Sequence, residues 1–106
     1  MRGLQAESLV LSHYQNKNYR LLHQRVKTPF AEIDLLFRTP SGNLLVVEVK
    51  AANLSSFYGT RVSWKQKNRL LRAANFLNAQ TQCLVEIHWA FVNDRRQITI
   101  FEDICE

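Results

Sequence analysis

The chain has 106 residues, of which 46% are hydrophobic and 22% are charged, and this composition fits a globular protein and argues against disorder. A chain of this length buries roughly two-thirds of its extended surface, so a single domain over residues 1–106 is predicted. Fourteen Lys and Arg residues against nine acidic residues give a net charge of +5. This charge favours an anionic partner, and nucleic acid more than a membrane, because no strongly apolar basic helix stands out.

The sequence shows no signal for a membrane or for secretion. No run approaches the ~18 apolar residues of a membrane span, and the N-terminus has no apolar stretch like that of a signal peptide. The two cysteines, Cys83 and Cys105, are too few for a disulfide scaffold and lack the spacing of metal ligands. A cytoplasmic protein with reduced thiols is therefore expected.

The first predicted element is an amphipathic helix over residues 4–16, whose apolar residues recur at positions i, i+3, i+4, i+7 and i+8. Glu7 lies at the border of this apolar stripe. Polar residues at 16–18 supply a turn, and a strand is predicted from Tyr19 to Val26.

Residues 32–50 predict a β-hairpin, because a Thr-Pro-Ser-Gly-Asn turn at 39–43 separates two strand-like segments. In the first strand Ile33, Leu35 and Phe37 alternate with Asp34, Leu36 and Arg38, so the apolar face is predicted to lie opposite Asp34. The second strand is a nearly continuous apolar run that nevertheless contains Glu48, and Lys50 follows two residues later on the same face. Burying an unpaired charged side chain in such a strand costs free energy, so proteins rarely place one there unless it has a function.

A polar loop follows the hairpin, and Thr60 is the predicted N-cap of a second helix that runs to about Ala79. The residues predicted on its buried side are Leu70, Leu71, Ala74 and Leu77. Its other faces are basic and are the candidate nucleic-acid-binding surface: Arg61, Lys65, Lys67, Arg69 and Arg72.

Two further strands are predicted at 83–93 and 97–101, joined by a turn at 93–96. The predicted element order is therefore α-β-β-β-α-β-β. Such an order is typical of an α/β domain with a mixed central sheet flanked by helices.

The hairpin suggests a chemical site at its open end. Asp34 and Glu48 each lie about seven or eight residues from the tip, and cross-strand neighbours come within about 5.5 Å of each other. One metal ion could then contact both carboxylates, with Lys50 beside them, an arrangement suited to metal-assisted phosphodiester chemistry.

Each of these features also has a purely structural explanation. Glu48 and Lys50 could form a partly exposed ion pair at a strand end, with Asp34 in a turn. Glu7 could complement the helix dipole, and the basic stripe that Lys65, Arg69 and Arg72 form on the second helix could be a solvated face. Trp64, near the start of that helix, could stack on a base or could simply pack. Three histidines show no metal-type spacing and are interpreted as structural: His13, His23 and His88.

The pattern of Asp34, thirteen intervening residues and then Glu-Val-Lys at 48–50 resembles the PD-(D/E)XK nuclease superfamily. Within it, the sequence resembles the YraN-type family of predicted endonuclease-like proteins, which are similar to archaeal Holliday-junction resolvases. The resemblance covers nearly the whole chain and is carried by these segments: Gly3 and Glu7, residues 31–36, residues 46–50, Gly59, Lys67, and residues 74–77. It implies a restriction-endonuclease-like α-β-β-β-α-β core.

The resemblance also implies a mechanism and partners. Asp34, Glu48 and the backbone carbonyl of Val49 would hold Mg²⁺ or Mn²⁺, which prefer oxygen ligands. Lys50 would orient or help deprotonate a water molecule, and Glu7 would complete the site directly or through water. The implied substrate is DNA, branched or damaged, and resolvase-like relatives suggest a homodimer.

The chain departs from the family pattern at three places. Ala31 replaces the usual glycine, Ala52 replaces the usual arginine, and Glu-Ile-His at 86–88 replaces the usual Arg-Phe-Asp. Two alternatives to an active endonuclease therefore stay open. One is a nucleic-acid-binding module with weak or no catalysis, and the other is a protein-interaction scaffold.

Overall fold

A computed structural model describes residues 3–51 and 63–102. The elements in these ranges are α1 (Gly3–Gln15), β1 (Arg20–Lys27), β2 (Glu32–Arg38), β3 (Leu44–Ala51), α2 (Trp64–Thr81), β4 (Val85–Val92) and β5 (Ile98–Glu102). This is the element order predicted from the sequence. Neither of these two helices is long and apolar enough to cross a membrane.

The five strands form one mixed sheet in the order β1-β2-β3-β4-β5. Neighbouring strands are antiparallel except β3 and β4, which are parallel. A parallel pair needs a long crossover connection, and the segment between β3 and β4 contains α2. One buried cluster lies between the sheet and α1 and the other between the sheet and α2. The predicted mixed sheet flanked by helices is therefore confirmed.

Helix α1 packs against the sheet through residues spaced four apart. Ala6, Val10 and Tyr14 are its buried residues, as expected for one face of a helix with 3.6 residues per turn. The Tyr14 hydroxyl forms a 2.6 Å hydrogen bond with Nδ1 of buried His88 on β4. This bond satisfies two polar groups inside the core between α1 and the sheet.

Helix α2 begins later than predicted. Its N-cap is Ser63, not Thr60, which lies outside the described residues. The Ser63 hydroxyl accepts a 3.1 Å hydrogen bond from the Gln66 backbone N–H, and Gln66 Oε1 accepts a 3.3 Å bond from the Ser63 N–H. This reciprocal capping box satisfies amides that the first turn of a helix leaves without partners. The prediction that Leu71 is buried is also wrong, since it is 37% exposed and Ala73 is buried instead.

Strand β2 does not alternate as the sequence predicted. Ile33 and Leu36 pack in the cluster that contains α2, whereas Leu35 and Phe37 pack in the cluster that contains α1. Regular alternation would put Ile33, Leu35 and Phe37 on one face. The pattern is interrupted at Asp34, where the strand also changes its hydrogen-bond partners.

Candidate active site

The sheet opens into a fork between β2 and β3. The ladder between these strands ends at the pair Leu35 and Val47. Strand β2 nevertheless remains paired with β1 as far as Glu32, and β3 remains paired with β4 as far as Ala51. The two halves of the sheet therefore separate at the end where the sequence analysis placed the acidic residues.

Asp34 and Glu48 lie at the point where the fork opens. The Asp34 backbone N–H donates a 2.9 Å hydrogen bond to Oε2 of Glu48. The Val49 backbone N–H donates a 2.8 Å hydrogen bond to Oδ2 of Asp34. The two carboxyl groups thus take the place of backbone carbonyls, and the strands separate without leaving these N–H groups unpaired. The structure brings the two carboxyl groups together.

Burial raises the pKa of both carboxyl groups. It raises the pKa of Glu48 from 4.5 to about 8, with the neighbouring Asp34 charge adding to the effect. Burial likewise raises the pKa of Asp34, although the Val49 N–H and the Lys50 ammonium oppose this rise. Glu48 therefore holds its proton at neutral pH in the metal-free protein.

Lys50 lies on the same face of β3 as Glu48. Both line a cavity against α2, and Lys50 is half-buried there. Within the described part of the chain it forms no ion pair with Glu48 or Asp34, so the surface ion pair considered as an alternative is not what the structure shows. Its charge nevertheless acts on both carboxyl groups through space.

The donor set suits a hard divalent cation. Each carboxyl group has one oxygen bound to a backbone N–H, and its second oxygen has no hydrogen-bond partner among residues 3–51 and 63–102. The N–H and C=O of one strand residue point to the same edge, so the Val49 carbonyl faces the fork as its N–H does. In the same ranges no group of three His, Cys, Asp or Glu residues could hold a metal ion. The residues fit Mg²⁺ or Mn²⁺ that keeps several waters.

Glu7 reaches the site from α1, across the sheet from α2. Its Oε1 accepts a 3.1 Å charged hydrogen bond from the Arg25 guanidinium. Burial and then the charge of Asp34 raise the pKa of Glu7, while Arg25 lowers it. Glu7 is therefore close enough to Asp34 to feel its charge, but its structural partner is Arg25.

Arg25 is a candidate site residue that the sequence analysis missed. Its neighbours Gln24 and Val26 pair with β2 on either side of Asp34, so Arg25 lies directly opposite that acid. Its φ of 51° is left-handed, which is uncommon for a residue with a side chain and costs about 1–3 kcal/mol. Nothing in the local sequence signals this conformation, and the register shift of β1 against β2 lies elsewhere, between Leu21 and His23.

The basic residues predicted to contact nucleic acid are distributed unevenly. Lys65, Arg69 and Arg72 are exposed on α2, Lys67 is half-buried, and Arg61 lies outside the described residues. Arg69 also lines the cavity beside the fork, so one of these cations is adjacent to the acidic residues. Three other positions used in the sequence analysis lie outside the described residues: Ala52, Gly59 and Cys105.

Solved structures share this fold. A repair endonuclease from Pyrococcus abyssi matches with a TM-score of 0.58 at 10% identity, over 88% of this chain and 39% of that one. The structure of an EndoMS–double-stranded DNA complex matches with a TM-score of 0.51 at 15% identity, over 79% of this chain and 34% of that one. At these identities the likeness concerns the fold, which is restriction-endonuclease-like.

Relatives in sequence identify the family. A UPF0102 protein of Cupriavidus necator is 34% identical over 85 residues, 77% of this chain and 65% of that protein. Another from Parvibaculum lavamentivorans is 41% identical over 75 residues, 71% of this chain and 56% of that protein. A third, from Thermus thermophilus, is 34% identical over 95 residues, 88% of this chain and 84% of that protein. The chain thus spans less than two thirds of the length of the first two relatives. The family model described as "Uncharacterised protein family UPF0102" matches residues 6–98, and the chain belongs to this family, also called YraN.

Proposed function

We propose that this chain is a metal-dependent endonuclease domain that hydrolyses phosphodiester bonds in DNA, with branched or damaged DNA as its substrate. The observation that carries the proposal is the fork, where Asp34 and Glu48 meet beside Lys50. The fold supports it, because one structural neighbour is a repair endonuclease and another is in complex with double-stranded DNA. A cytoplasmic location and a homodimeric assembly belong to the same proposal.

The basic side chains near the fork suit the phosphate backbone of a nucleic acid. The molecule carries a net charge of +5, and the exposed cations Lys65, Arg69 and Arg72 share the helix that covers one side of the fork. Contacts between such cations and phosphates supply affinity that falls with added salt. Arg69 is the cation best placed to hold a phosphate next to the acidic residues, because it lines the same cavity as Lys50.

The residues at the fork have separate tasks in hydrolysis. When bound, Mg²⁺ or Mn²⁺ would supply Lewis acidity toward the phosphodiester. Asp34 and Glu48 offer the oxygen ligands, and their backbone hydrogen bonds hold each carboxyl group in one orientation. The Lys50 ammonium positions the attacking water and stabilises the negative charge that builds on the phosphate. The water oxygen forms the new bond to phosphorus, one ester bond breaks, and the products are a phosphomonoester and an alcohol.

The test is a cleavage assay on branched, single-stranded and duplex DNA, with Mg²⁺, with Mn²⁺ and with a chelator. We expect metal-dependent cleavage by the native protein and a loss of at least about 100-fold in Asp34→Ala and Lys50→Ala. Lys17→Ala, which removes one exposed lysine from the turn after α1, is the matched control and should cleave normally. Cleavage that survives both site substitutions would refute the proposed site.

One observation favours a second candidate function. Among the described residues, no group of three His, Cys, Asp or Glu side chains could hold a metal ion, and the Glu7 carboxyl group is hydrogen-bonded to Arg25. A nucleic-acid-binding module with weak or no catalysis would fit this set as well. It predicts salt-sensitive DNA binding that a chelator does not change, together with no cleavage in either metal. The same assay therefore decides between the two functions.

A further inference from the structure

A cavity lies directly beside the fork, between the turn that precedes β2 and helix α2. Its volume is about 220 Å³, and Glu48 and Lys50 form one of its sides. A group that enters this cavity is therefore next to whatever reacts at the carboxyl groups. The catalytic proposal uses this side and Arg69, and it assigns no role to the other walls.

The turn before β2 presents an aromatic ring at this cavity. Phe30 lines it and is 43% exposed. The Thr28 hydroxyl accepts hydrogen bonds from the N–H groups of Phe30 at 3.2 Å and Ala31 at 3.0 Å, and donates one of 2.7 Å to the Ala31 carbonyl. The ring of Phe76 on α2 packs against Phe30 with a centroid distance of 6.3 Å and an interplanar angle of 67°. The ring is thus held in place while part of it remains accessible.

The rest of the cavity combines an apolar base with polar edges. Leu70 and Trp89 are buried and supply apolar surface. Gln66 and Arg69 are exposed and supply hydrogen-bond donors, and exposed Glu32 supplies an acceptor. In Gln66 the side-chain oxygen is already used by the N-cap of α2, so its NH₂ group is the part left for a ligand. An aromatic platform, an apolar base and polar edges together match a flat heteroaromatic ring.

The size of the cavity selects a single ring system. Its volume of about 220 Å³ lies below the range of about 300–1,000 Å³ that is typical of sites for drug-sized ligands. One nucleobase is of this size. Bases inside a duplex are paired and stacked, so only an unpaired or extruded base can reach a platform of this kind.

We propose that this cavity is a subsite for one unstacked nucleobase of the strand bound at the fork. Phe30 stacks on the base, and Gln66 and Arg69 donate hydrogen bonds to its edge. The recognised substrate feature is then an unpaired nucleotide next to the phosphate under attack. This inference rests on the proposed action on nucleic acid and names the substrate class of that site.

The test compares dissociation constants for matched DNAs that carry 2-aminopurine, measured in Ca²⁺ with the whole chain. One DNA is fully paired, one has the 2-aminopurine as a single bulged base, and one is single-stranded. We expect the native protein to bind the unpaired forms more tightly than the duplex. Phe30→Ala should weaken binding of the unpaired forms about 5- to 150-fold and leave duplex binding unchanged. Phe101→Ala, which truncates an aromatic residue of similar exposure on β5, is the matched control.

Two results would overturn the subsite: equal affinity of the native protein for paired and unpaired DNA, or unchanged affinities in Phe30→Ala. Thermal unfolding checks that Phe30→Ala is folded, and Arg69→Ala, which should also weaken binding of the unpaired forms, provides a second variant on another element. Cleavage is scored separately. A preference for unpaired bases without metal-dependent cleavage supports the subsite and overturns the endonuclease. Metal-dependent cleavage that is equal on paired and unpaired DNA and unchanged in Phe30→Ala supports the endonuclease and overturns the subsite. A chain that binds no DNA overturns both proposals.

Discussion

Replacing Glu48 by glutamine isolates the effect of burying a carboxyl group at the fork. The glutamine side chain has nearly the same shape, and its carbonyl oxygen can still accept the hydrogen bond from the Asp34 N–H. The variant cannot ionise, so it avoids placing a second negative charge beside Asp34. We expect Glu48→Gln to be more stable than the native protein at alkaline pH when no metal is present.

The size of this effect follows from the pKa of Glu48. Its folded-state pKa of about 8 lies above the value of 4.5 expected for the unfolded chain. The stability that this group contributes is therefore complete below about pH 4.5 and is lost progressively as the pH rises to about 8. The interval between these two values, at about 1.4 kcal/mol per pH unit, corresponds to about 5 kcal/mol in the free energy of unfolding.

The assay is urea unfolding in the presence of a chelator, at a series of pH values from about 5 to about 9. The difference in unfolding free energy between Glu48→Gln and the native protein should grow in favour of the variant by several kcal/mol across this range. Glu102→Gln, which removes one exposed carboxyl group on β5, is the matched control. A difference between Glu48→Gln and the native protein that stays constant within about 0.5 kcal/mol would show that the folded state does not perturb Glu48, and the burial argument would fail.

Substitutions at two further positions, Arg25 and Tyr14, test residues that position or stabilise the site. Glycine tolerates the left-handed backbone at position 25, so Arg25→Gly removes only the cation that lowers the pKa of Glu7 and Asp34. Mg²⁺ binding, measured by calorimetry, should then require a higher pH. Arg25→Lys keeps a positive charge and should shift the pH dependence of Mg²⁺ binding less. Equal profiles for the two Arg25 variants would contradict a role for the guanidinium in positioning Glu7. Tyr14→Phe removes the bond to buried His88 and should lower the free energy of unfolding by about 1–3 kcal/mol in urea titrations, with DNA cleavage unchanged. A loss of cleavage at full stability would place His88 in the reaction instead.

Local sequence patterns were sufficient for most of the fold. The spacing of Ala6, Val10 and Tyr14 defines the buried face of α1, and the turn at 39–43 defines the hairpin, because both depend on residues close together in the chain. The error at the start of α2 was avoidable, since the Ser-x-x-Gln capping box at Ser63 is visible in the sequence. The exposure of Leu71 does not follow from local sequence, because it depends on how α2 is rotated against the sheet.

The sequence was also enough to bring Asp34 and Glu48 to one end of a hairpin, since the turn sets the register of the two strands that it joins. The sequence did not predict the fork, the left-handed conformation of Arg25 or the cavity beside Phe30. The fork and the cavity depend on which strands and which helix lie against the hairpin. The protonation of Glu48 has the same origin, because a carboxyl group loses its hydration only when the whole fold closes around it. The register of a hairpin is set by residues close together in the chain, whereas the desolvation of a carboxyl group depends on the whole folded domain.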